Sequence, residues 1–251
     1  MTRVETFMAG RGPASRVAYF VVRTLVAGFT RAMTRLSVDG REHLPEQGPF
    51  VLAPVHRSIM DTPISSCLTR RRLRFMGKDT LWKRRPAAWL LSSLGGFPVS
   101  RGTADREALK RCIAVLEGGE PLVLFPEGER KSGDVVQPLF DGAAYVALKA
   151  GVPIVPVGIG GSEAVMPKGS QCIHPRKVHV VIGPPITHPA VPTGGGRVPR
   201  TAVHEMTAEL HTTLQRLFDE ARARVDGNPS SHPRPPPREG TRMVGKPSYS
   251  T

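Results

Sequence analysis

Short apolar runs alternate with longer stretches of helical periodicity along most of the chain, which is the pattern of strands separated by helices. The apolar runs predict strands at Phe50–Val55, Leu73–Gly77, Phe97–Ser100, Pro121–Phe125, Ile154–Ile159 and Lys177–Ile182. The periodic stretches predict helices at Asp61–Arg71, Pro86–Leu94, Thr103–Glu117, Asp141–Ala150 and Arg200–Val225. Together they predict one α/β domain over residues 41–226, with a mixed, largely buried sheet flanked by helices. The pattern leaves the order of the strands open.

The last predicted helix has a continuous apolar face whose members recur at spacings of three and four residues. They are Val203, Met206, Leu210, Leu214, Leu217 and Ala221. A face of this kind predicts that the helix packs along its whole length on the domain.

Residues 1–40 are predicted to form a basic amphipathic helix, with its periodic part at Ala14–Leu36. Four arginines fall within roughly a third of the helix circumference, namely Arg16, Arg23, Arg31 and Arg35. Large apolar side chains occupy other positions, among them Phe20, Val21, Leu25 and Phe29. Two interpretations are open. The helix lies in a membrane interface with its arginines toward phosphate headgroups, or it packs on its own domain.

The chain is strongly basic, with 35 Lys and Arg against 21 Asp and Glu and a formal net charge of +14. Such a charge attracts polyanions, which include nucleic acids, anionic membranes and phosphorylated small molecules. Residues 227–251 carry four basic side chains and one acidic side chain, so subtracting +3 from +14 leaves +11 for the body. This Pro-rich basic tail has too little apolar surface to fold and is predicted to be disordered.

Neither a membrane span nor a secretion signal is predicted. No apolar run approaches the roughly 18 residues that a span requires, and Arg23 interrupts the stretch where a signal peptide needs its apolar core. Cys67, Cys112 and Cys172 have unrelated spacings, so no disulfide framework, zinc site or other metal site is expected. A reducing cytoplasm is the simplest setting.

The stretch VLAPVHRSIMDTP places His56 at the end of a predicted strand and Asp61 at the start of a predicted helix. A carboxylate that accepts from one ring nitrogen fixes the tautomer in which the other nitrogen can take a proton. Taken singly, His56 could be a loop histidine, and Asp61 could be a helix N-cap followed by Pro63. The stretch therefore predicts either a catalytic base with its orienting acid or two unrelated structural residues.

Two other stretches place an arginine just after a predicted strand. In PLVLFPEGERKSG the strand opens into a Gly-containing turn, where Arg130 could bind a phosphate through its planar fork. In LGGFPVSRG, Arg101 is a second candidate phosphate ligand. The structural alternatives are a solvated charged turn and a surface arginine ahead of a helix. The Gly-rich stretch GVPIVPVGIGG lacks the GxGxxG spacing of dinucleotide sites and is interpreted as a buried strand.

The blocks HRSIMD, GGFPVSRG, FPEGER and VPIVPVGIGG resemble, in sequence and in order, the four blocks of the glycerolipid acyltransferases. This is the PlsC-like, or 1-acylglycerol-3-phosphate acyltransferase, family, and the likeness covers roughly Leu44 to Ile186. H-x4-D alone is common by chance, whereas H-x4-D followed by F-P-E-G in this order is not.

The resemblance implies transfer of a fatty acyl group from an acyl thioester, on CoA or on acyl-carrier protein, to the free hydroxyl of a lysophospholipid acceptor. With 1-acylglycerol-3-phosphate as acceptor the product is phosphatidic acid, and no cofactor beyond the thioester co-substrate is implied. His56 would be the general base, and Asp61 would orient it and stabilise its charge. The likeness also implies a pocket in which two arginines bind the acceptor's phosphate, formed by Arg101, Glu127, Gly128 and Arg130.

Two positions depart from the family pattern. Glu129 stands where the block usually has threonine, and Val55 stands where asparagine commonly precedes the histidine. An extra carboxylate beside a phosphate-binding arginine weakens anion binding if it points inward, so another lysolipid or a glycolipid stays open as acceptor. A covalent route through Ser58 beside His56 is a minor alternative.

The stretch TLWKRRPAAWLL sets Trp82 and Trp89 around three basic residues, which is typical of a lipid headgroup layer. Together with the first helix it favours a peripheral location on the cytoplasmic face of the membrane, with an anionic surface as partner. A non-catalytic basic lipid-binding protein is the alternative from another class. A nucleic-acid partner is not predicted, because the charge lacks interleaved aromatics. The sequence leaves the oligomeric state open.

Overall fold

A computed structural model describes residues 12–99, 106–167, 169–170, 172–188 and 197–227. The helices are α1 (Pro13–Thr34), α2 (Asp61–Ser66), α3 (Arg85–Ser93), α4 (Arg106–Glu117), α5 (Gly142–Ala150), α6 (Ser162–Val165) and α7 (Arg200–Asp226). The strands are β1 (Ser37–Asp39), β2 (Val51–Pro54), β3 (Arg74–Lys78), β4 (Gly96–Val99), β5 (Leu122–Val123), β6 (Ile154–Gly160) and β7 (His179–Ile182). Short 3-10 helices lie at Arg41–His43 and Asp79–Trp82.

The strands form a mixed seven-stranded sheet in the order β1-β7-β6-β2-β5-β3-β4. Neighbouring strands run parallel except β6 and β7, which are antiparallel. The central strand β2 is buried at all four positions, and its Val51 pairs with Leu122 of β5 on one side and Ile154 of β6 on the other. The predicted fold class, a mixed buried sheet with flanking helices and an N-terminal helix, is confirmed.

The chain reverses its direction across the sheet at β4, and this reversal creates the crevice that holds the candidate site. From β2 it passes outward through β3 to β4, then returns to β5 and β6. Right-handed crossovers place α2 and α3 on one face and α4 and α5 on the other. The contacts agree, since α1 packs on α2 and α3 while α5 packs on α4 and α7. Neighbouring strands β2 and β5 therefore lead to opposite faces, and ligands of α/β sheets bind in such a crevice at the carboxyl ends of the strands.

Helix α7 packs directly against β6 and β7, as its apolar face predicts. All six residues of that face are buried. The helix approaches β6 so closely that a Cβ at Gly158 would lie 2.3 Å from the backbone of Leu217. Glycine is required at this strand position because any side chain would push the helix off the sheet.

Several elements differ from the sequence prediction: the short helix α6 was not predicted, β5 is shorter than predicted, and β1 and α2 differ as follows. The three-residue strand β1 was not predicted, because it is too short to show a period, and it pairs in parallel with β7 at the sheet edge. Helix α2 ends at Ser66 rather than at Arg71. Arg71 donates from Nη1 to the carbonyl of Pro45, and Arg72 donates from Nη2 to the carbonyls of Ser92 and Ser93. These two arginines therefore tie the connection to β3 to other elements instead of extending the helix.

Helix α1 packs on α2 and α3 and carries several large apolar side chains on its outward face. Large exposed side chains follow this face, namely Val17, Phe20, Val21, Leu25 and Phe29. Arg23 turns toward the domain, because its guanidinium donates to the carbonyl of Thr69 just beyond α2. Within the described residues, no helix combines the length and apolar character needed to cross a bilayer.

The three cysteines differ sharply in exposure, and this predicts their reactivity. Burial raises the pKa of the Cys112 thiol to about 12 and also raises the pKa of the Cys67 thiol, whereas Cys172 is exposed. Because the thiolate is the reactive form, iodoacetamide near neutral pH should modify Cys172 first and the other two only after denaturation. Mass spectrometry of the native and denatured protein, with Cys172→Ser as control, measures this order. Rapid native labelling of Cys112 would contradict the buried placement.

Candidate active site

His56 stands two residues beyond the end of β2, at the carboxyl edge of the sheet. Its Nδ1 lies 3.1 Å from Oδ2 of Asp61, and its ring stacks on Phe125 with the centroids 3.9 Å apart. A ring that donates from Nδ1 to a carboxylate carries its lone pair on Nε2. Among the described residues, none forms a hydrogen bond with Nε2. The side chain of His56 is 16% exposed, so the imidazole is partly accessible from outside the fold.

Asp61 turns back over the loop that separates it from His56. Its fully buried Oδ2 accepts the backbone N–H groups of Arg57 and Ser58 at 2.6 and 2.7 Å, in addition to the ring of His56. The side chain does not cap α2, which begins at Asp61 with Met60 at the N-cap position and no side-chain cap bond. Of the two interpretations of this stretch, the paired geometry is therefore present and the capping geometry is absent. Oδ1 is buried without a hydrogen-bond partner in the described part of the chain.

The loop after β5 is held beside His56 by backbone contacts. The N–H of Lys131 donates to the carbonyl of His56 at 2.8 Å. Gly128 has a φ of +72°, and a Cβ at this position would lie 2.7 Å from the ring of Phe140. A left-handed backbone with so little room favours glycine. The third sequence block thus forms a tight turn in which Phe125 supports the imidazole, and Lys131, directly after the block, binds the carbonyl of His56.

Glu127 is fully buried beneath this turn. Nη1 of Arg57 donates to both of its carboxylate oxygens at 2.9 and 2.7 Å, and Arg57 is itself only 1% exposed. The sequence prediction placed Glu127 in the phosphate pocket and did not consider Arg57. The sequence offered one signal, a basic residue in the first block, Arg57, and an acidic residue in the third, Glu127. These residues follow β2 and β5, which the structure shows to be neighbouring strands.

Of the two arginines predicted to bind phosphate, Arg130 and Arg101, the structure describes only Arg130. Arg130 lies partly exposed in the turn after β5, and the neighbouring Glu129 forms an ion pair with Nζ of Lys131 at 2.8 Å. Arg101 lies outside the described residues, although β4, the strand before it, ends at the same edge of the sheet as β2 and β5. The predicted tail beyond Gly227 also lies outside the described residues. The structure thus brings His56, Asp61, Glu127 and Gly128 together.

The geometry also bears on covalent catalysis and on metal binding. Oγ of Ser58 donates to the carbonyl of Met166 at 2.9 Å, so its proton is directed away from His56, and the covalent route gains no support. In the ranges that the structure describes, no group of three or more His, Cys, Asp or Glu side chains is arranged to hold a metal ion.

Known proteins with similar sequences carry one activity in their names. The chloroplast 1-acyl-sn-glycerol-3-phosphate acyltransferase BAT2 of Brassica napus is 31% identical over 156 residues, which are 61% of this chain and 45% of that protein. The 1-acyl-sn-glycerol-3-phosphate acyltransferase of Bacillus subtilis is 28% identical over 60% of this chain and 73% of its own length. The aligned region thus spans less than half the length of the plant relative.

A solved structure has a similar fold. The 1-acyl-sn-glycerophosphate acyltransferase PlsC of Thermotoga maritima matches with a TM-score of 0.68 over 85% of both chains, at 24% sequence identity. The acyltransferase family model matches residues 35–160, about half of the chain, and this range contains three of the four quoted blocks completely and the fourth up to Gly160. The chain belongs to the acyltransferase family.

Proposed function

We propose that this protein transfers a fatty acyl group from an acyl thioester to the free hydroxyl of 1-acylglycerol-3-phosphate, giving phosphatidic acid. The observation that carries the proposal is the His56–Asp61 pair, whose Nε2 forms no hydrogen bond with any residue that the structure describes, at the switch point of a sheet that has the family fold. The names of the relatives support the choice of acceptor.

In the proposed reaction the acceptor oxygen attacks the thioester carbonyl directly. His56 Nε2 takes the hydroxyl proton as the new C–O bond forms, and the imidazolium is stabilised by the carboxylate of Asp61 at Nδ1. Collapse of the tetrahedral intermediate breaks the C–S bond, and the thiolate leaves with the proton that His56 holds. No acyl-enzyme is formed, in keeping with the direction of the Ser58 hydroxyl.

The acceptor's phosphate is proposed to bind at the open side of the turn after β5. Arg130 and Arg101 are the proposed ligands, because a guanidinium fork matches two phosphate oxygens. The extra carboxylate of this chain, Glu129, has Lys131 as an ion-pair partner, which offsets its charge beside the proposed phosphate position. Phosphate anchoring at a fixed distance from Nε2 would position the hydroxyl for attack.

The test is an acyl-transfer assay with the purified full chain. Vesicles containing lysophosphatidic acid are mixed with labelled acyl-CoA or acyl-acyl-carrier protein, and lysophosphatidylcholine and a glycolipid are offered in parallel. Labelled phosphatidic acid is expected, with one of the two donors preferred. Turnover only on another lipid would move the function to the alternative acceptor, and vesicle binding without turnover on any acceptor would favour a lipid-binding protein.

We further propose that the chain binds peripherally to the anionic cytoplasmic face of a membrane through α1 and α3. Phe20 and Leu25 of α1 are about two-thirds exposed, and Trp89 of α3, which packs beside α1, is half exposed. Large exposed apolar side chains on two adjoining helices support an interaction site at this surface. The net charge of +14 adds attraction to anionic lipids, and three free cysteines suit a reducing compartment.

Phe20→Glu combined with Leu25→Glu should weaken partitioning onto anionic vesicles at least tenfold. Each change removes an apolar side chain worth about 1.5–3 kcal/mol when buried and adds a charge that anionic lipids repel by about 1 kcal/mol. Vesicle sedimentation measures the partitioning. The matched control is Ala208→Glu with Thr212→Glu, which adds the same charges to the exposed face of α7. Equal partitioning of both double variants would show that α1 is not the contact.

A further inference from the structure

Arg57 and Glu127 form a buried ion pair directly beneath the peptide groups of His56. The side chains are 1% and 0% exposed. Oε2 of Glu127 accepts the N–H of His56 at 3.0 Å, and Nη1 of Arg57 donates to the carbonyl of His56 at 3.2 Å. The same ion pair therefore binds both the backbone N–H and the backbone carbonyl of His56.

The pair also fastens the loop that follows the turn after β5. Nε and Nη2 of Arg57 donate to the carbonyls of Gly133 and Val135, both at 3.1 Å. Oε1 of Glu127 accepts the N–H of Gln137 at 3.1 Å. The first and third sequence blocks are thus joined through these two side chains.

A buried ion pair of this kind is seldom the most stable choice. Replacing such a pair by apolar residues of similar volume is often neutral or stabilising, because two charges must otherwise be desolvated. Glu127 also has no exposed surface with which to bind a substrate phosphate, and both of its oxygens are engaged. The recurring partner of the pair is the backbone of His56.

We infer that Arg57 and Glu127 are positioning residues that act through His56. They fix its main chain from below, while Phe125 and Asp61 fix its ring, so that Nε2 is aimed at the acceptor hydroxyl. The inference rests on the proposed function. Because small displacements of a catalytic group can lower the rate on the order of 10²-fold, disturbing the pair should lower kcat and leave the KM for the acceptor nearly unchanged.

Glu127→Gln is the first variant. Its shape is conserved, but the two carboxylate oxygens accept from different N–H groups, so the new amide NH2 faces a donor in either orientation. We expect kcat to fall at least tenfold, with KM for lysophosphatidic acid within about threefold of the unmodified protein. A raised KM with unchanged kcat would overturn the inference and return Glu127 to the phosphate pocket.

Glu120→Gln is the matched control. Glu120 pairs with Arg74, which is also 1% exposed, but this pair lies where β3 begins and β5 is about to begin, at the opposite edge of the sheet from His56. The control should lower the melting temperature while kcat stays within about twofold. Equal losses of kcat in both variants would show that Glu127 contributes only to folding.

A readout independent of turnover separates this inference from the proposed function. The ring resonances of His56, assigned in histidine-labelled protein by their loss in His56→Gln, should shift in Glu127→Gln and stay unchanged in Glu120→Gln. This result is expected even if the protein acylates no lysophospholipid, whereas unchanged resonances in both variants would overturn the positioning role.

A second variant covers the case in which Glu127→Gln does not fold. Arg57→Met combined with Glu127→Met leaves no buried charge unpaired, so it should melt closer to the unmodified protein. It also removes the acceptor for the N–H of His56. Its kcat should therefore remain at least tenfold lower despite the recovered stability, and full kcat in this double variant would overturn the inference.

Discussion

Alanine in place of His56 should lower kcat by about 10²–10⁴-fold, the range typical of a lost general base. The expected reason is that Nε2 is the acceptor for the hydroxyl proton and that no described neighbour is placed to replace it. The acyl-transfer assay measures kcat, and the KM for lysophosphatidic acid should change little, since the imidazole is not proposed to bind the phosphate.

The matched control for this prediction is His179→Ala. His179 also lies 3.1 Å from a carboxylate, that of Asp39, but it stands on β7 beside β1 at the sheet edge. Its removal should affect the melting temperature alone. If His56→Ala retained more than about a tenth of the original kcat, or if both alanine variants lost activity equally, the base assignment would be wrong.

The second large effect is expected for Asp61→Asn, which should also lower kcat by about 10²–10⁴-fold. Asparagine retains a carbonyl oxygen that can accept the N–H groups of Arg57 and Ser58, so the loop can keep its shape. It lacks the negative charge that is proposed to stabilise an imidazolium at His56. The comparison of kcat with the melting temperature therefore reports charge rather than folding.

Asp61→Ala provides the contrast. It leaves two buried N–H groups without an acceptor, at a cost of roughly 1–3 kcal/mol each, so it should lower both kcat and the melting temperature. An Asp61→Asn protein with near-normal kcat would show that Asp61 serves the loop alone. Loss of folding in both variants to the same degree would point to the same conclusion.

The site could be predicted from the sequence only as far as local spacing reaches. His56 and Asp61 are five residues apart on a strand end and a helix start, so a short loop can bring them together. Arg57 and Glu127 are seventy residues apart, and their contact depends on β2 and β5 being neighbours, which the pattern did not specify. Charged residues in a Gly-containing turn usually indicate a solvated surface, and only the tertiary structure shows that Glu127 is buried.

The fold could be predicted where a periodic pattern extends over many residues. The prediction failed where an element is too short to show a period. The apolar face of α7 spans many turns, and its burial followed as expected. The three residues of β1 are too few to show alternation. The orientation of α1 was predicted incompletely for a different reason. Spacing shows which residues share a face, but the carbonyl of Thr69 decides that Arg23 lies inward.

The short junction between α1 and β1 couples the orientation of α1 to that of the sheet. Only Arg35 and Leu36 separate the two elements, and Arg35 closes the helix with its N–H bonded to the carbonyl of Arg31 at 2.9 Å. β1 is in turn paired with β7. The helix is therefore joined to the sheet without a flexible linker, so any bilayer that bound α1 would also fix the orientation of the candidate site relative to the membrane.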